Sequence, residues 1–188
     1  MSNSSSKPII ALVGPPNSGK TTLFNYLSGK NFKTVNYPGS TIEYHTCDIH
    51  PKFKVEGIIL DSPGIISLIP NSLDEEVTVN SIFNHPKFGK PDLVIVTVDA
   101  SQISRHLLLA RQLIECGFDT ILAVTMLDIL DKKNKKIDLI RLSEIIGVPV
   151  VGIDGRSGNG VEALVAKAAG KLKNKRTINL VPPDEKWK

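Results

Sequence analysis

Short, wholly apolar runs alternate along this chain with segments whose apolar residues return every three or four positions. Lys7–Val13 (KPIIALV) is a continuous apolar run closed by Gly14, the pattern of a strand buried on both faces. Lys20–Leu27 follows with Leu23, Phe24 and Leu27 on one helical face. Asn31–Thr41 has no period and contains Asn36, Pro38 and Gly39, so it reads as a loop. Ile42–Ile49 and Lys54–Leu60 read as a pair of strands around His50-Pro51, and Ser62–Ser72 as a second loop. Asp74–Phe83 predicts a short helix opened by Asp74 and two glutamates. Asp92–Val98 (DLVIVTV), Thr120–Thr125 and Val148–Ile153 are further buried strands. Ser101–Cys116 predicts a helix capped by its serine and stopped by Gly117. Lys132–Ile146 predicts another, opening on a solvated KKNKK run and stopped by Gly147, and Gly160–Leu172 predicts the last.

Apolar strands alternating with helices imply an α/β domain in three layers: a mostly parallel six-stranded sheet covered by helices on both faces. Ligands on such sheets lie beyond the carboxyl ends of the strands. The loops after Val13, Leu60, Val124 and Ile153 are therefore the places for chemistry. The expected organisation is a disordered N-terminal segment over 1–7, a domain over 8–172, and a tail or linker over 173–188 that contains Pro182-Pro183.

Composition narrows the classes. With 188 residues, 41% hydrophobic and 22% charged, the chain can bury a core and is not a disordered polymer. Aromatics at 5% are too few for a single-strand stacking platform. Leu93–Val98 and Thr120–Met126 fall far short of the roughly 18–20 apolar residues of a membrane helix. Met1–Lys7 is polar and Ser-rich, unlike a secretory signal. Two cysteines, Cys47 and Cys116, read as free thiols of a reducing cytosol. The net charge of +4 is small enough to come from a basic tail.

The loop after the first strand carries the strongest chemistry. Gly14-Pro15-Pro16-Asn17-Ser18-Gly19-Lys20-Thr21 fits G-x-x-x-x-G-K-[ST] between a buried strand and an apolar-faced helix. Glycines let backbone N–H groups wrap a phosphate, and the helix that follows aims its positive end at the anion. Lys20 brings a point charge to the β- and γ-phosphates, and the Thr21 hydroxyl suits Mg²⁺. Gly14, Pro15, Asn17, Ser18, Gly19, Lys20, Thr21 and Thr22 are the candidate phosphate contacts.

Four weaker elements gain meaning from this loop. Asp61-Ser62-Pro63-Gly64 follows a strand: Asp61 can hold Mg²⁺ through water, and the Gly64 N–H can reach a γ-phosphate. By itself D-x-x-G is also a plain turn. Thr41 can give a hydroxyl to Mg²⁺ and an N–H to the γ-phosphate, or simply cap a strand. In Thr125-Met126-Leu127-Asp128, Asp128 can accept from guanine N1–H and N2–H₂, a pair adenine lacks; the plainer role is a helix N-cap. Asp154-Gly155 follows the last strand, where a backbone N–H can meet guanine O6.

Five elements in this order resemble the G domain of Ras-type and translational GTPases. The strings around them are more specific. GPPNSGKTTLFNYLSG, VNYPGSTIE, DSPGIISL followed by SLDEE, VTVDASQISRHLLLARQLIECG and VPVVGIDGRSGNGVEAL resemble the N-terminal G domain of the FeoB family, the bacterial and archaeal ferrous-iron transporters, over residues 8–172. The resemblance implies a three-layer, Ras-like P-loop GTPase fold that binds GTP and GDP with Mg²⁺ and hydrolyses GTP slowly. It implies a cytoplasmic head fused to a helical spacer and a membrane permease, cut within the tail. It also implies K⁺ as a catalytic element, with Asn17 as its ligand and Asn36 completing the cage. Thr21, Thr41 and Asp61 become the Mg²⁺ set, and Lys20, Asn17, Thr41 and Gly64 the catalytic set.

Where Ras-type enzymes orient water with a Gln, this chain has Ile65, which neither donates nor accepts. A monovalent cation among the phosphates supplies the missing charge in this reading. The chain departs from the family at Thr125, where Asn is usual, and at Asp154-Gly155, where Ser-Ala is usual; Ser62 replaces a Leu. The expected effects are weaker bracing of the phosphate loop, a looser base loop and faster nucleotide release. Two other functions stay open on the residues. One is a free-standing GTPase that contacts ribosome or RNA through Lys132–Lys136 and Lys171–Arg176. Against it, both runs read as solvated helix ends with no nucleic-acid partner. The other is a nucleotide-binding scaffold with weak hydrolysis, suggested by Thr125 and Ile65. Oligomeric state is open.

Overall fold

The computed structural model describes residues 7–174 and 179–186. Seven strands form one sheet: β1 (Ile9–Val13), β2 (Lys33–Asn36), β3 (Glu43–Asp48), β4 (Ile58–Asp61), β5 (Leu93–Asp99), β6 (Thr120–Thr125) and β7 (Val150–Gly152). Their order is β2-β3-β4-β1-β5-β6-β7. All pairings from β4 to β7 are parallel, and the β2–β3–β4 edge is antiparallel. The helices are α1 (Lys20–Ser28), α2 (Leu73–Phe83), α3 (Ile103–Glu115), α4 (Leu127–Lys132), α5 (Leu139–Ile146), α6 (Val161–Lys173) and α7 (Pro183–Lys186).

The all-apolar strands still alternate, because each face has its own cover. Ile10 and Leu12 of β1 and Ile95 of β5 pack with α1 and α6 through Leu23, Phe24, Leu27, Leu164 and Val165. Ala11, Val13, Val94 and Val96 point the other way, onto Val79 and Ile82 of α2 and Leu109 and Leu113 of α3. These are the expected three layers.

Four differences from the sequence reading have local causes. The sheet has seven strands rather than six: Lys33–Asn36, read as loop, is an edge strand paired antiparallel with β3. Its residues are mostly exposed, so burial leaves no alternation to read. The predicted Lys132–Ile146 helix starts only at Leu139, and a separate short helix, α4, precedes it over Leu127–Lys132. The lysine run lies largely in the connection between them, and Asp138 caps α5 by accepting from the N–H groups of Ile140 and Arg141, both at 3.0 Å. Ser101 is not the cap of α3. Asp99 accepts from Ser101 N at 2.7 Å and caps a short 3₁₀ turn, Ala100–Gln102, ahead of the helix. Within the expected tail, Val181 N donates to the Cys116 carbonyl at 3.0 Å and Leu180 packs beside Cys116 and Phe118. The expected disordered segment 1–7, apart from Lys7, lies outside the described residues, as do Lys175 and Arg176 of the basic run. Among the described residues no helix is long and apolar enough to cross a membrane.

One satellite cluster ties the β2–β3 hairpin to the body. Tyr37, in the hairpin loop, is buried against Tyr44 and His85, with ring centroids 4.8 and 5.5 Å away. Its hydroxyl oxygen accepts from Ser81 Oγ of α2 at 2.9 Å. His85 is buried with Nδ1 accepting from Lys87 N at 3.2 Å and with Nε2 unpartnered. Burial, helped by the Lys87 charge, pushes its imidazole down from 6.5 to about 4. The unfolded chain binds that proton near pH 6.5 while the folded chain does not, so this group removes stability as pH falls from about 6.5 to about 4. His85→Asn keeps an acceptor for the backbone and has no titrating ring. Its urea midpoint is expected to fall less than that of the wild type between pH 7 and pH 4.5; equal losses would show that His85 does not titrate in this way.

Candidate phosphate and base site

The phosphate loop runs from β1 to α1 at the carboxyl edge of the sheet. Asn17 adopts a left-handed conformation (φ 61°) with an exposed side chain, and Gly19 (φ 81°) occupies the cap position of α1 without a side-chain cap. The first N–H groups of α1 are thus left free to face a ligand, the arrangement that favours an anion. Pro15 is buried, and its carbonyl accepts from Ser18 N at 3.3 Å.

A layer of hydroxyls underlies the loop. Ser18 Oγ lies 2.6 Å from Thr97 Oγ1, and Thr97 reaches the Val13 carbonyl at 3.4 Å. Thr125 Oγ1 lies 2.8 Å from the Ser18 carbonyl and 3.3 Å from the Val98 carbonyl, so its one proton goes to Ser18. Thr125, expected to brace the loop less well than an amide, still reaches the loop backbone directly at the Ser18 carbonyl. Packing is tight here. A Cβ at Gly14 would sit 2.0 Å from Thr97 Oγ1, and one at Gly64 would sit 2.8 Å from Pro16 N. Thr97 had no sequence signal beyond being the polar residue of an apolar strand.

Lys20 and Asp61 meet across this loop. Lys20 Nζ donates to Asp61 Oδ1 at 2.5 Å and to the Ser62 carbonyl at 2.6 Å, and both charged side chains are almost wholly buried. The other Asp61 oxygen lies 3.6 Å from His45 Nδ1 on β3. Asp61 is brought there by β4 lying parallel to β1, with Leu12 opposite Asp61. Ser62, expected to matter only as a departure, stitches the two strands, its Oγ donating to the Leu12 carbonyl at 3.3 Å. Gly64 packs on the loop, and Ile65 N donates to the Gly14 carbonyl at 3.1 Å. The Ile65 side chain is buried in the core with Leu68 and Val79, away from any water-orienting role. The segment beyond is held by Gln112 of α3, whose Oε1 accepts from Leu68 N at 2.8 Å and Ser67 Oγ at 3.1 Å.

Asn36 and Thr41 are placed differently. Asn36 ends β2 opposite Glu43, and Thr41 lies in the hairpin loop 37–42, closed by Tyr37 N donating to the Ile42 carbonyl at 2.9 Å. With His45 opposite Asp61 in antiparallel register, this loop extends past the carboxyl end of β4, the same edge as the phosphate loop. Among the described residues, neither side chain hydrogen-bonds to the phosphate loop.

The base-side elements do come together. Met126 is left-handed (φ 57°) at the cap of α4, so Asp128 stands in the first turn and is not the N-cap. Its carboxylate lies 3.6 Å from both Lys132 Nζ and Arg156 Nη2. Arg156 belongs to the Asp154-Gly155 loop, which therefore sits beside Asp128. That loop is closed on itself: Asp154 accepts from Ser157 Oγ at 2.5 Å and from Arg156 N at 2.8 Å. The Ser157 hydroxyl first, then the Arg156 N–H, hold the Asp154 carboxyl below the usual carboxylate range. Asp154 thus organises the loop, and the looser loop expected from Asp154-Gly155 is not what its bonding describes. Thr21 is exposed on the first turn of α1, and Thr22 lies beside Gly155, where a Cβ would be 3.4 Å from Thr22 Cγ2.

The donor types suit the groups expected here. Thr21, Thr41 and Asp61 offer hard oxygens of the kind Mg²⁺ takes, and the buried Asp61 carboxylate has Lys20 Nζ on one oxygen and His45 Nδ1 3.6 Å from the other. Asn17 and Asn36 offer amide oxygens, acceptable to a potassium ion.

A family model described as ferrous iron transport protein B matches residues 8–168. The "Fe(2+) transporter FeoB" of Escherichia coli (strain K12) is 39% identical over 184 residues, 93% of this chain and 22% of that protein. The chain spans about a fifth of the length of the curated relatives it matches. A mutant of S. thermophilus NFeoB bound to GDP superposes with a TM-score of 0.80 at 37% identity, covering 90% of this chain and 65% of that one. The G domain of the T. maritima FeoB iron transporter gives 0.75 at 33% identity, covering 85% and 95%.

Proposed function

This chain belongs to the ferrous iron transport protein B family as its N-terminal G domain, and on that premise we propose that it is a Mg²⁺-dependent, K⁺-stimulated GTPase serving as the cytoplasmic regulatory head of a ferrous-iron uptake transporter. The observation that carries the reading is the buried Lys20 ammonium at the mouth of the phosphate loop, beside Asp61 at the end of the neighbouring strand.

Lys20 and the N–H groups of Gly14 and 17–22 bind the β- and γ-phosphates, and Gly64 N–H and Thr41 N–H orient the γ-phosphate. Thr21, Thr41 and Asp61 hold Mg²⁺, which supplies charge neutralisation at the phosphate oxygens. Asn17 and Asn36 hold K⁺, which supplies the positive charge that an arginine gives elsewhere. Support for a non-glutamine route lies in the burial of Ile65. Asp128 accepts from the guanine N1–H and N2–H₂, Gly155 N–H donates to O6, and Thr125 and Met126 set the turn that carries Asp128. Membrane permease and iron chemistry belong to parts of the longer protein, linked through the chain beyond 172.

Asp128→Ala is expected to weaken GTP and GDP binding at least tenfold and to shrink the preference over ATP, read by competition against a fluorescent guanine nucleotide; unchanged discrimination would defeat the guanine assignment. Replacing NaCl by KCl is expected to raise the GTPase rate several-fold, and Asn17→Ala to abolish that rise. A rate indifferent to potassium in the wild type would sink the cation assignment.

A further inference from the structure

Resting on the guanine reading above, we propose that Tyr26 is a positioning residue for the base: from α1 it ties down the loop 154–160 and so sets how fast guanine nucleotide is released. Tyr26 and Thr22 are one turn apart on the same face of α1, the helix that starts at the phosphate loop. Both face the base loop. Thr22 packs at Gly155, and one turn further on Tyr26 OH donates to the Arg156 carbonyl at 2.9 Å. The Tyr26 ring lies flush with Gly158, where a Cβ would be 2.6 Å from Cε1 and where φ is +77°. Only glycine suits that close approach in that conformation.

The loop itself is closed by bonds within it. Asp154 accepts from Arg156 N and Ser157 Oγ, Gly158 N donates to the Asp154 carbonyl at 2.8 Å, and Asp154 N donates to the Asn159 carbonyl at 3.0 Å. Internal bonds of this kind fix the shape of the loop but not its position. Position is supplied by its two ends, on β7 and α6, and laterally by α1 through Thr22 and the Tyr26 hydroxyl. One helix thus indexes both halves of a nucleotide: its N-terminus faces the phosphates and its flank holds the loop that offers Gly155 N–H to the base. Arg156, whose carbonyl Tyr26 grips, also places its guanidinium beside Asp128. Releasing the hydroxyl therefore loosens the O6 contact and the surroundings of Asp128 together.

The test is stopped-flow release of a fluorescent GDP analogue from the wild type and from Tyr26→Phe, which removes the hydroxyl and keeps the ring on Gly158. Release is expected to speed up about threefold to tenfold, the scale of one lost hydrogen bond. The effect is expected in release and in Kd, with single-turnover hydrolysis at saturating GTP changing less than twofold. Release within experimental error of the wild type overturns the proposal, as does a single-turnover hydrolysis rate that falls by as large a factor as release rises, which would place Tyr26's effect in the phosphate loop or the fold. A wild type that binds no guanine nucleotide overturns the guanine reading and this proposal together; binding with unchanged release overturns this proposal alone.

Discussion

A buried lysine and a buried aspartate at the carboxyl edge of the sheet constrain the rest of this structure. Lys20 and Asp61 lie 2.5 Å apart, and both side chains are almost wholly buried. Removing one partner of such a pair costs about 3–5 kcal/mol, because the survivor is left unpaired in a poorly solvated place. The pair is therefore a weak source of net stability and a strong constraint on position. It requires that β4 end beside β1 in the observed register, and that the loop after β1 deliver a lysine as the first residue of α1. In the proposed function, a polyphosphate would take the ammonium and leave the carboxylate to a divalent cation. An interaction that a ligand can replace like for like is a suitable core for a switch.

The surrounding polar groups serve that constraint. Ser18, Thr97 and Thr125 place hydroxyls under the loop, so that a strained backbone with a left-handed Asn17 rests on bonded partners. Thr125 illustrates how geometry overrides residue type. An amide was expected to brace the loop better than a hydroxyl, yet the threonine stands close enough to Ser18 to make the bond itself. The hairpin loop carrying Thr41 is held from the opposite side, through Tyr37 in its aromatic pocket and the Ser81 hydroxyl of α2. The segment after Gly64 is held by Gln112. The hairpin loop and the segment after Gly64 are thus tied to different helices, α2 and α3.

Legibility followed burial. Strands β1, β5 and β6 were readable because both faces are covered, which leaves unbroken apolar runs such as DLVIVTV. The phosphate loop was readable because its spacing is dictated by the anion it wraps. Lys33–Asn36 was not readable, since an exposed edge strand has no apolar face to keep in register. The late start of α5 was hidden because Ile137, Ile140 and Ile145 mimic one helical face while Asp138 caps the helix only at that point. Thr97, Tyr26 and Gln112 were invisible for another reason: their partners are 79, 130 and 44 residues away, and no local pattern encodes a contact of that range. Asp128 was legible as a candidate, but its exclusion from the cap position required the left-handed Met126.

The proposed role of the Lys20–Asp61 pair as the seat of guanine-nucleotide chemistry is tested most directly by phosphate release from GTP, with ATP in parallel, by the wild type and by Lys20→Ala in the presence of Mg²⁺. Slow release from GTP alone is expected of the wild type, and at least a hundredfold less of the variant. Equal release by the variant, or equal turnover of ATP by the wild type, would contradict it.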